Sequence, residues 1–343
     1  MKPIASRPLG QTGVKLPALG FGGAPLGELF QRIDEDDAQE MLRAAWSSGI
    51  RYFDTAPWYG HGLSEHRIGH LLRQQDPTAF TCSTKVGRVY TRFAGRTPES
   101  VTAPWTGGLP FFPRFDYTYD GVMRSYEDSL IRLGLNRVQA LVVHDLDFGY
   151  HQTELNVTAR LRELESGWKA LDELKRSAEI RAIGVGINEE AMMRRFLDQW
   201  PLDFFLVALP YTLMDQNVLH WEFPACARRG VGIVVGAPYA SGILATGPVD
   251  GARYRYAPAS PEALDKVSRI QAVCERHGVP LKAAALQFPL AHPIVACVIP
   301  GALTREQVLE NRELFDFPIP ADCWAELQFA QLIHENAPLP LGD

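Results

Sequence analysis

The sequence lacks the features of a secreted, disulfide-bonded chain. It contains five cysteines, an odd number, and no two of them have the CxxC spacing. The opening residues MKPIASRPLGQTG include no apolar segment, so no signal peptide is expected. Because disulfides persist mainly in oxidising compartments, we expect free thiols and a cytoplasmic location.

Positive charge is also scarce. The 34 lysines and arginines are outnumbered by 40 aspartates and glutamates, which leaves a net charge of −6. Nucleic-acid binding needs clustered cations that neutralise phosphates, and an anionic membrane surface attracts the same groups. The sequence therefore predicts neither nucleic acid nor a membrane as a partner, and it makes no prediction of oligomeric state.

Long uninterrupted hydrophobic runs and flexible linkers are missing as well. Residues 230–249 carry no charge over a membrane-like length, but five glycines and two prolines interrupt them. These interruptions favour a buried strand followed by a loop. Since no Pro/Gly/Ser-rich segment divides the chain, the sequence predicts one domain over residues 1–343.

Short apolar runs alternate with amphipathic stretches instead. The runs are bounded by Gly, Pro or Asp, which is typical of buried parallel strands, and they cover residues 17–22, 51–54, 80–86, 138–144, 180–186, 203–209, 231–237 and 294–299. Helical patterns cover residues 34–48, 117–133, 160–177, 189–198, 216–229 and 261–277. The alternation predicts an α/β fold, a single (β/α)8 TIM barrel, with a doubly wound sheet as the alternative.

Three segments are predicted additions to the barrel. Residues 6–16 predict an N-terminal hairpin that caps the bottom, and residues 318–343 a C-terminal helix with a Pro-rich tail. Residues 87–116 form a long, aromatic, Pro/Gly-rich loop after the third strand. Loops of this length in compact domains usually serve a function or are mobile.

Polar residues end three consecutive predicted strands. Asp54 ends the second strand, Lys85 the third and His144 the fourth, and Tyr59 follows in the loop after Asp54. Active-site residues of barrel enzymes lie at such ends. Taken singly, each residue has an ordinary alternative, namely a helix cap, a solvated charge or a hydrogen-bonded core histidine.

The combination of these residues favours catalysis. A buried Lys85 needs a partner, which Asp54 on the neighbouring strand supplies. A lysine near the Tyr59 hydroxyl is expected to lower the phenol pKa from about 10, which would make Tyr59 a general acid or base. His144 is then placed to hydrogen-bond a substrate oxygen between them.

Motifs spread over nearly the whole chain resemble those of the aldo-keto reductase family. In chain order they are LGFGGAPLG at 19–27, FDTAPWYGHGLSE at 53–65, STK at 83–85, YEDSLIRLG at 126–134, VVHD at 142–145 and VIPGALTREQVLEN at 298–311. The resemblance implies a catalytic tetrad in which Tyr59 transfers the proton, Lys85 and Asp54 tune it, and His144 orients the substrate.

The resemblance also implies a nicotinamide dinucleotide, NAD or NADP, across the barrel mouth. Its implied binding residues are Gly22, Gly23, Asp54, Asn188, Gly236, Ala237, Pro238, Tyr239, Ser241, Gly242, Leu244, Pro300, Gly301, Ala302, Gln307, Glu310 and Asn311. No metal is expected, since the segment HGLSEHRIGH at 61–70 is better explained as a surface helix than as a metal motif.

Some positions depart from the usual family pattern. Gly236 stands where an aromatic residue usually stacks on the nicotinamide, Gly186–Ile187 replaces a Ser-Asn pair, and Ala208 replaces a glutamine. Asn188 is the expected substitute as ligand of the carboxamide.

The positions that hold the 2′-phosphate in many NADP-dependent members also differ. Gly301, Ala302 and Gln307 stand there, where those members have Lys, Ser and Arg. Two cations are therefore absent, and we expect NAD to be preferred or both cofactors to be used.

Further strings resemble a subgroup that oxidises cyclic hemiacetals to lactones. DTAPWYGHGLSE, GVGINE, PYTLMDQ and YRYAPASPE are similar to L-fucose and D-threo-aldose 1-dehydrogenases and to pyridoxal 4-dehydrogenase. For that reaction the resemblance implies Tyr59 as the base, and Trp58 and Trp105 are expected either to stack on the substrate or only to close their loop. A noncatalytic, cofactor-sensing barrel subunit is the alternative from another class.

Overall fold

The strands of this computed structural model, which describes residues 2–92 and 104–340, follow the predicted order. They are β1 Ser6–Pro8, β2 Lys15–Pro17, β3 Phe21–Gly22, β4 Tyr52–Asp54, β5 Thr81–Val86, β6 Arg88–Arg92, β7 Phe111–Phe115, β8 Ala140–His144, β9 Ala182–Ile187, β10 Phe204–Ala208, β11 Gly232–Gly236, β12 Arg253–Tyr254, β13 Ala257–Pro258 and β14 Val295–Ile299. All eight predicted barrel strands are present.

Eight parallel strands close into a barrel. They lie in the order β14, β11, β10, β9, β8, β5, β4, β3. Backbone bonds join the two ends of the sheet, with Gly20 N donating to Val298 O over 2.9 Å and Val298 N donating to Ala18 O over 2.9 Å. The (β/α)8 TIM barrel is therefore confirmed, and the doubly wound alternative is wrong.

Helices cover the outside of the barrel. The α-helices are Glu35–Ser47, Leu63–Leu72, Tyr119–Leu133, Phe148–His151, Glu154–Arg176, Glu190–Gln199, Glu222–Arg229, Ile243–Thr246, Pro261–Arg276, Leu281–Gln287, Arg305–Phe315 and Ala321–Phe329. None of the helices in 2–92 and 104–340 combines the length and the apolar character needed to cross a membrane.

Two helix predictions are corrected. The helix predicted over 160–177 begins earlier, at Glu154, because the Thr153 side chain caps it by accepting from Asn156 N. The helix predicted over 216–229 is α-helical only over Glu222–Arg229. Asp215 accepts a hydrogen bond from Asn217 N, and this local bond favours a turn over the expected helix start.

The N-terminal hairpin closes the bottom of the barrel as predicted. Strand β1 pairs antiparallel with β2, and Leu9 and Leu16 are buried in the inner core with Tyr52 and Phe204. Alternate side chains of the barrel strands fill this inner core, while the others pack against the helices. The hairpin therefore covers the end of the barrel opposite the strand termini that carry the candidate site.

The long segment after the third strand is not only a loop. Strands β6 and β7 pair antiparallel, with Arg88 opposite Phe115. Residues 93–110 connect the two strands in the sequence, and residues 93–103 of this connection lie outside the described part of the chain. Val89 and Tyr90 are buried, so this hairpin has its own apolar contacts with the barrel. The predicted C-terminal helix is present as Ala321–Phe329, and the tail is described as far as residue 340.

The β1–β2 hairpin that closes the bottom of the barrel supplies the first testable prediction. Leu16 is almost fully buried, so Leu16→Ala is expected to lower the free energy of unfolding by about 2–5 kcal/mol, measured by urea denaturation. Lys15→Ala, on the exposed face of the same strand, is the matched control and should change stability little. Equal effects of the two substitutions would contradict a plugging role for Leu16.

Candidate active site

A buried ion pair joins two neighbouring strands at the mouth of the barrel. Asp54 ends β4 and Lys85 lies on β5, and each side chain is almost fully buried. The Lys85 ammonium donates to Asp54 Oδ2 over 2.6 Å and to the Thr55 carbonyl over 2.7 Å. Ser83 Oγ donates to Asp54 Oδ1 over 2.7 Å, so both carboxylate oxygens have partners. Burial raises the pKa of Asp54, and the Lys85 charge opposes this.

The Tyr59 ring lies over this ion pair. A tight turn presents it, because Gly60 adopts φ +64° and a Cβ there would lie 2.6 Å from the Gly27 carbonyl oxygen. The Lys85 ammonium lies 4.6 Å from the centre of the Tyr59 ring. The structure thus brings together the tyrosine, lysine and aspartate expected from the sequence.

The direction of the Tyr59 pKa corrects the expectation. Burial raises the pKa of Tyr59 well above its usual value, and the carboxylates of Asp54 and Asp145 raise it further, while Arg88 opposes them. Lys85 lies beneath the ring, and its charge is already paired with Asp54. The phenol therefore keeps its proton at neutral pH in this site.

His144 completes the group at the end of β8. Its ring makes an edge contact with the Tyr59 ring, with 5.7 Å between centroids. Burial and the charges of Lys85 and Arg88 lower the pKa of His144 well below its usual value. The imidazole is therefore neutral near pH 7 and can serve as a hydrogen-bonding group.

A cavity of about 360 Å³ opens beside these residues. Trp58 and Trp105 line it and contact each other edge to face, with 5.8 Å between ring centroids. The Trp105 Nε1–H is buried and has no hydrogen-bond partner among the described residues. Further residues lining the cavity are Tyr59, Lys85, His144, Asp145, Asp147, Tyr150, Asn188, Glu189 and Tyr256.

A second cavity, of about 370 Å³, adjoins the first. Tyr59, Leu206, Ala208 and Tyr256 line both cavities. Of the residues expected to hold a cofactor, the second cavity contains Gly22, Gly23, Asp54, Gly236, Ala237, Pro238, Tyr239, Ser241, Gly242, Gly301, Ala302, Gln307, Glu310 and Asn311. It therefore forms a groove from Tyr59 to the helix Arg305–Phe315.

Three expected cofactor residues lie elsewhere. Asn188 lines the first cavity, and its Nδ2 lies 3.5 Å from Asp147 Oδ2. Leu244 is fully buried in the apolar core, because its helix Ile243–Thr246 turns that side chain inward. The Pro300 carbonyl accepts a hydrogen bond from Gly22 N and thereby joins β14 to β3. Neither Leu244 nor Pro300 lines the groove.

The groove fits an elongated dinucleotide. Ser241 and Gly242 have φ values of +63° and +107°, so the backbone curves around the groove at this point. A Cβ at Gly301 would lie 2.7 Å from Pro25 Cγ, so only glycine leaves this wall open. At the far end, Tyr239 OH donates to Asn311 Oδ1 over 2.5 Å. Backbone, glycine and polar groups of this kind suit phosphate and ribose contacts.

Several cavity residues were missed by the sequence analysis. Asp145 follows His144 directly, Asp147 lies two residues further on, and Glu189 follows the predicted ligand Asn188, so proximity to a motif was the available signal. Arg88, which contacts Asp145 but lines neither cavity, had no such signal, because its segment was expected to be a loop. In the described parts of the chain, no three His, Cys, Asp or Glu side chains form a possible metal site.

The chain belongs to the aldo/keto reductase family, whose members are oxidoreductases that use nicotinamide cofactors, and the match covers residues 18–331. It is 40% identical to pyridoxal 4-dehydrogenase of Microbacterium luteolum over 97% of this chain and 99% of that protein. It is 38% identical to D-threo-aldose 1-dehydrogenase of a Pseudomonas species, over 94% and 96%. The holo form of an aldo-keto reductase from Bacillus halodurans superposes with a TM-score of 0.73 at 25% identity, covering 96% of each chain.

The buried ion pair supplies a prediction about stability. Asp54→Asn or Lys85→Met alone leaves an unpaired buried polar or charged group, so each is expected to lower the free energy of unfolding by about 3–5 kcal/mol. The double variant should lose less than the sum of the two, measured by urea denaturation as a double-mutant cycle.

The exposed pair Asp265–Arg269 is the control for this cycle. Its charges lie in solvent 4.0 Å apart, so alanine variants should show no measurable coupling. Strictly additive losses at Asp54 and Lys85 would contradict their role as one interacting unit.

Proposed function

We propose that the protein is an NAD-dependent dehydrogenase that oxidises the anomeric hydroxyl of an aldose, such as L-fucose or another D-threo-aldose, to the lactone. The observation that carries the proposal is that Tyr59 lines both cavities. A substrate in the first cavity and a cofactor in the second would therefore meet at the Tyr59 hydroxyl. The two dehydrogenases that are 40% and 38% identical support an oxidation of this class.

The four predicted catalytic residues have separable roles in this proposal. Tyr59 removes the proton from the anomeric hydroxyl, and neutral His144 hydrogen-bonds and orients the same oxygen. The ion pair with Asp54 holds the Lys85 ammonium in a fixed position beneath the Tyr59 ring. When bound, the oxidised nicotinamide supplies the acceptor for the hydride. The Tyr59 phenol is protonated at neutral pH because its pKa is raised, so its basic phenolate form becomes more abundant, and oxidation faster, as the pH increases.

The indole rings of Trp58 and Trp105 favour the proposal of a cyclic substrate. Trp58 and Trp105 form two perpendicular faces of the first cavity, and sugar rings commonly pack against such faces. A pyridine ring could stack on the same faces, so pyridoxal 4-dehydrogenase activity, giving 4-pyridoxolactone, is the second candidate.

NAD is proposed as the cofactor because the far end of the groove offers no free cation among the described residues. Gly301, Ala302 and Gln307 line it without charge, and both ammonium contacts of Lys282 go to Glu310, over 2.9 and 2.8 Å. A 2′-phosphate would meet the Glu310 carboxylate there, whereas a ribose hydroxyl could donate to it.

A cytoplasmic location and a single domain are proposed from the state of the cysteines and from the spread of the candidate residues along the chain. All five cysteines are free and buried, which fits the proposed cytoplasmic location. The candidate residues extend from Gly22 to Asn311 and converge on one groove. We therefore propose that residues 1–343 act as a single domain.

A substrate panel tests the proposed oxidation. With NAD, the protein should oxidise L-fucose and other D-threo-aldoses, followed by the absorbance of the reduced cofactor and by lactone analysis. Tyr59→Phe should lower kcat by about 10²–10⁴-fold because it removes the base, while cofactor binding by fluorescence persists.

Other outcomes would contradict the proposal in different ways. Turnover of pyridoxal alone would favour the second candidate. Cofactor binding without turnover of any sugar or of pyridoxal would favour the noncatalytic, cofactor-sensing subunit.

The cofactor preference has its own test. We expect kcat/KM to be at least about tenfold higher with NAD than with NADP, since one missing charge-assisted bond corresponds to about 1.5 kcal/mol or more. Gln307→Arg should raise kcat/KM for NADP and leave that for NAD nearly unchanged. Glu306→Arg adds an arginine at an exposed neighbouring position and is the control. A clear preference of the unmodified protein for NADP would overturn this prediction.

A further inference from the structure

A second buried ion pair lies beside the catalytic group. Arg88 Nη1 donates to Asp145 Oδ2 over 2.7 Å, and both side chains are at least nine-tenths buried. The other oxygen, Asp145 Oδ1, lies 3.3 Å from His144 Nε2. Arg88, Asp145 and His144 thus form a continuous row that ends at the proposed substrate-orienting imidazole.

Arg88 is held where it is by aromatic rings. Its guanidinium carbon lies 4.5 Å from the ring centre of Trp58, 4.3 Å from that of Phe115 and 4.8 Å from that of Tyr150. Arg88 Nη2 is buried and has no hydrogen-bond partner within the described chain. A cation sandwiched in this way can turn only a little, so it fixes the Asp145 carboxylate in place.

The backbone of Asp145 is also unusual. Its φ is +54°, in the left-handed region that aspartate and asparagine tolerate better than most residues. This conformation follows directly after the last residue of β8, and Asp145 N donates to the Gly186 carbonyl over 3.3 Å. The turn points the Asp145 side chain back toward His144 and into the wall of the first cavity.

We propose that Asp145, held by Arg88, is a positioning residue that fixes the tautomer and the orientation of His144. A carboxylate beside Nε2 favours the imidazole form that carries its proton on that nitrogen. Arg88 lies on the β6–β7 hairpin, so this insertion contributes to the chemistry as well as to the wall of the cavity. The inference deepens the proposed function and rests on it wherever turnover is the readout.

The protonation of Asp145 makes this role measurable. Burial raises the pKa of Asp145 to about 6, and Asp147 raises it too, whereas Arg88 and Lys85 oppose the shift. Asp145 is therefore charged above about pH 6 and loses its hold on His144 below it. The titratable or charged groups that face Asp145 are Lys85 on β5, Arg88 on β6, His144, Asp147, His151, Tyr59, Tyr117, Tyr150 and Tyr256.

Of Asp145 and the groups that face it, Asp145 itself is the one that we expect to change the slope of log kcat/KM against pH near pH 6, and this change of slope is called the bend. The pKa of His144 is lowered well below 6.5, and those of Tyr59 and Tyr117 are raised well above 10. The pKa of His151 is lowered to about 4. A plot of log kcat/KM for aldose oxidation should thus rise with pH because of Tyr59 and be steeper below about pH 6.

Variants of Asp145 provide the main kinetic test. Asp145→Asn keeps the size and the backbone preference of the residue, so it is expected to fold, to lower kcat with little change in KM, and to remove the bend. Asp145→Glu should restore part of kcat and the bend. A bend that persists in Asp145→Asn, or a rise in KM with unchanged kcat, would overturn the proposal.

Two charged neighbours of Asp145, Arg88 and Asp147, shift its pKa in opposite directions. Arg88 lowers the pKa of Asp145, so Arg88→Met should move the bend to higher pH, whereas Arg88→Lys should keep it nearly in place. Asp147 raises that pKa, so Asp147→Asn, the matched control in the same cavity, should keep the bend and move it to lower pH. Loss of the bend in Asp147→Asn would also count against the proposal.

A spectroscopic readout separates this inference from the proposed function. The ¹⁵N shifts of the His144 imidazole report its tautomer without substrate or cofactor. Above about pH 6, the unmodified protein should show the form protonated on Nε2, and Asp145→Asn should show a mixture. The same tautomer in both proteins overturns the inference, whereas absence of aldose turnover with the expected shifts overturns only the proposed function.

Discussion

The buried pair of Asp54 and Lys85 is the interaction around which the mouth of the barrel is organised. Two opposite charges that are almost fully removed from water are stable only when they meet each other and when their remaining hydrogen-bonding capacity is used. Ser83 and the Thr55 carbonyl supply those remaining bonds. The register that sets Asp54 opposite Ser83 across β4 and β5 therefore also fixes the ammonium beneath the Tyr59 ring.

A second ion pair extends the same principle to the neighbouring strand. Arg88 and Asp145 are also buried, and they connect an insertion that is not part of the barrel to the end of β8. Aromatic rings around Arg88 keep water away and strengthen the pair. Burial lowers the pKa of His144, the charges of Lys85 and Arg88 lower it further, and the imidazole stays neutral in a cavity that is otherwise rich in carboxylates.

Local sequence was informative where one physical rule dominates. The barrel strands were predictable because short β-branched runs between breakers must be buried on both faces, which both a closed barrel and a doubly wound sheet achieve. Asp54, Lys85 and His144 were predictable because they end such runs. The start of the helix at Glu154 was missed because the cap at Thr153 depends on backbone geometry that a hydrophobic pattern does not contain.

Sequence by itself determined the eight strands, the N-terminal hairpin, the family and the residues that meet at the mouth, since strand order and motif spacing leave little freedom to these features. The closure of the sheet into a barrel was decided by the tertiary structure, whose backbone bonds exclude the doubly wound alternative. Only the tertiary structure decided the ion pairing and the pKa values of the residues at the mouth. Lys85 was expected to lower the pKa of Tyr59, but its charge is committed to Asp54, and burial raises that pKa instead. The positions of Asn188, Leu244 and Arg88 were likewise settled by packing, because the environment of a side chain depends on contacts between residues distant in the chain.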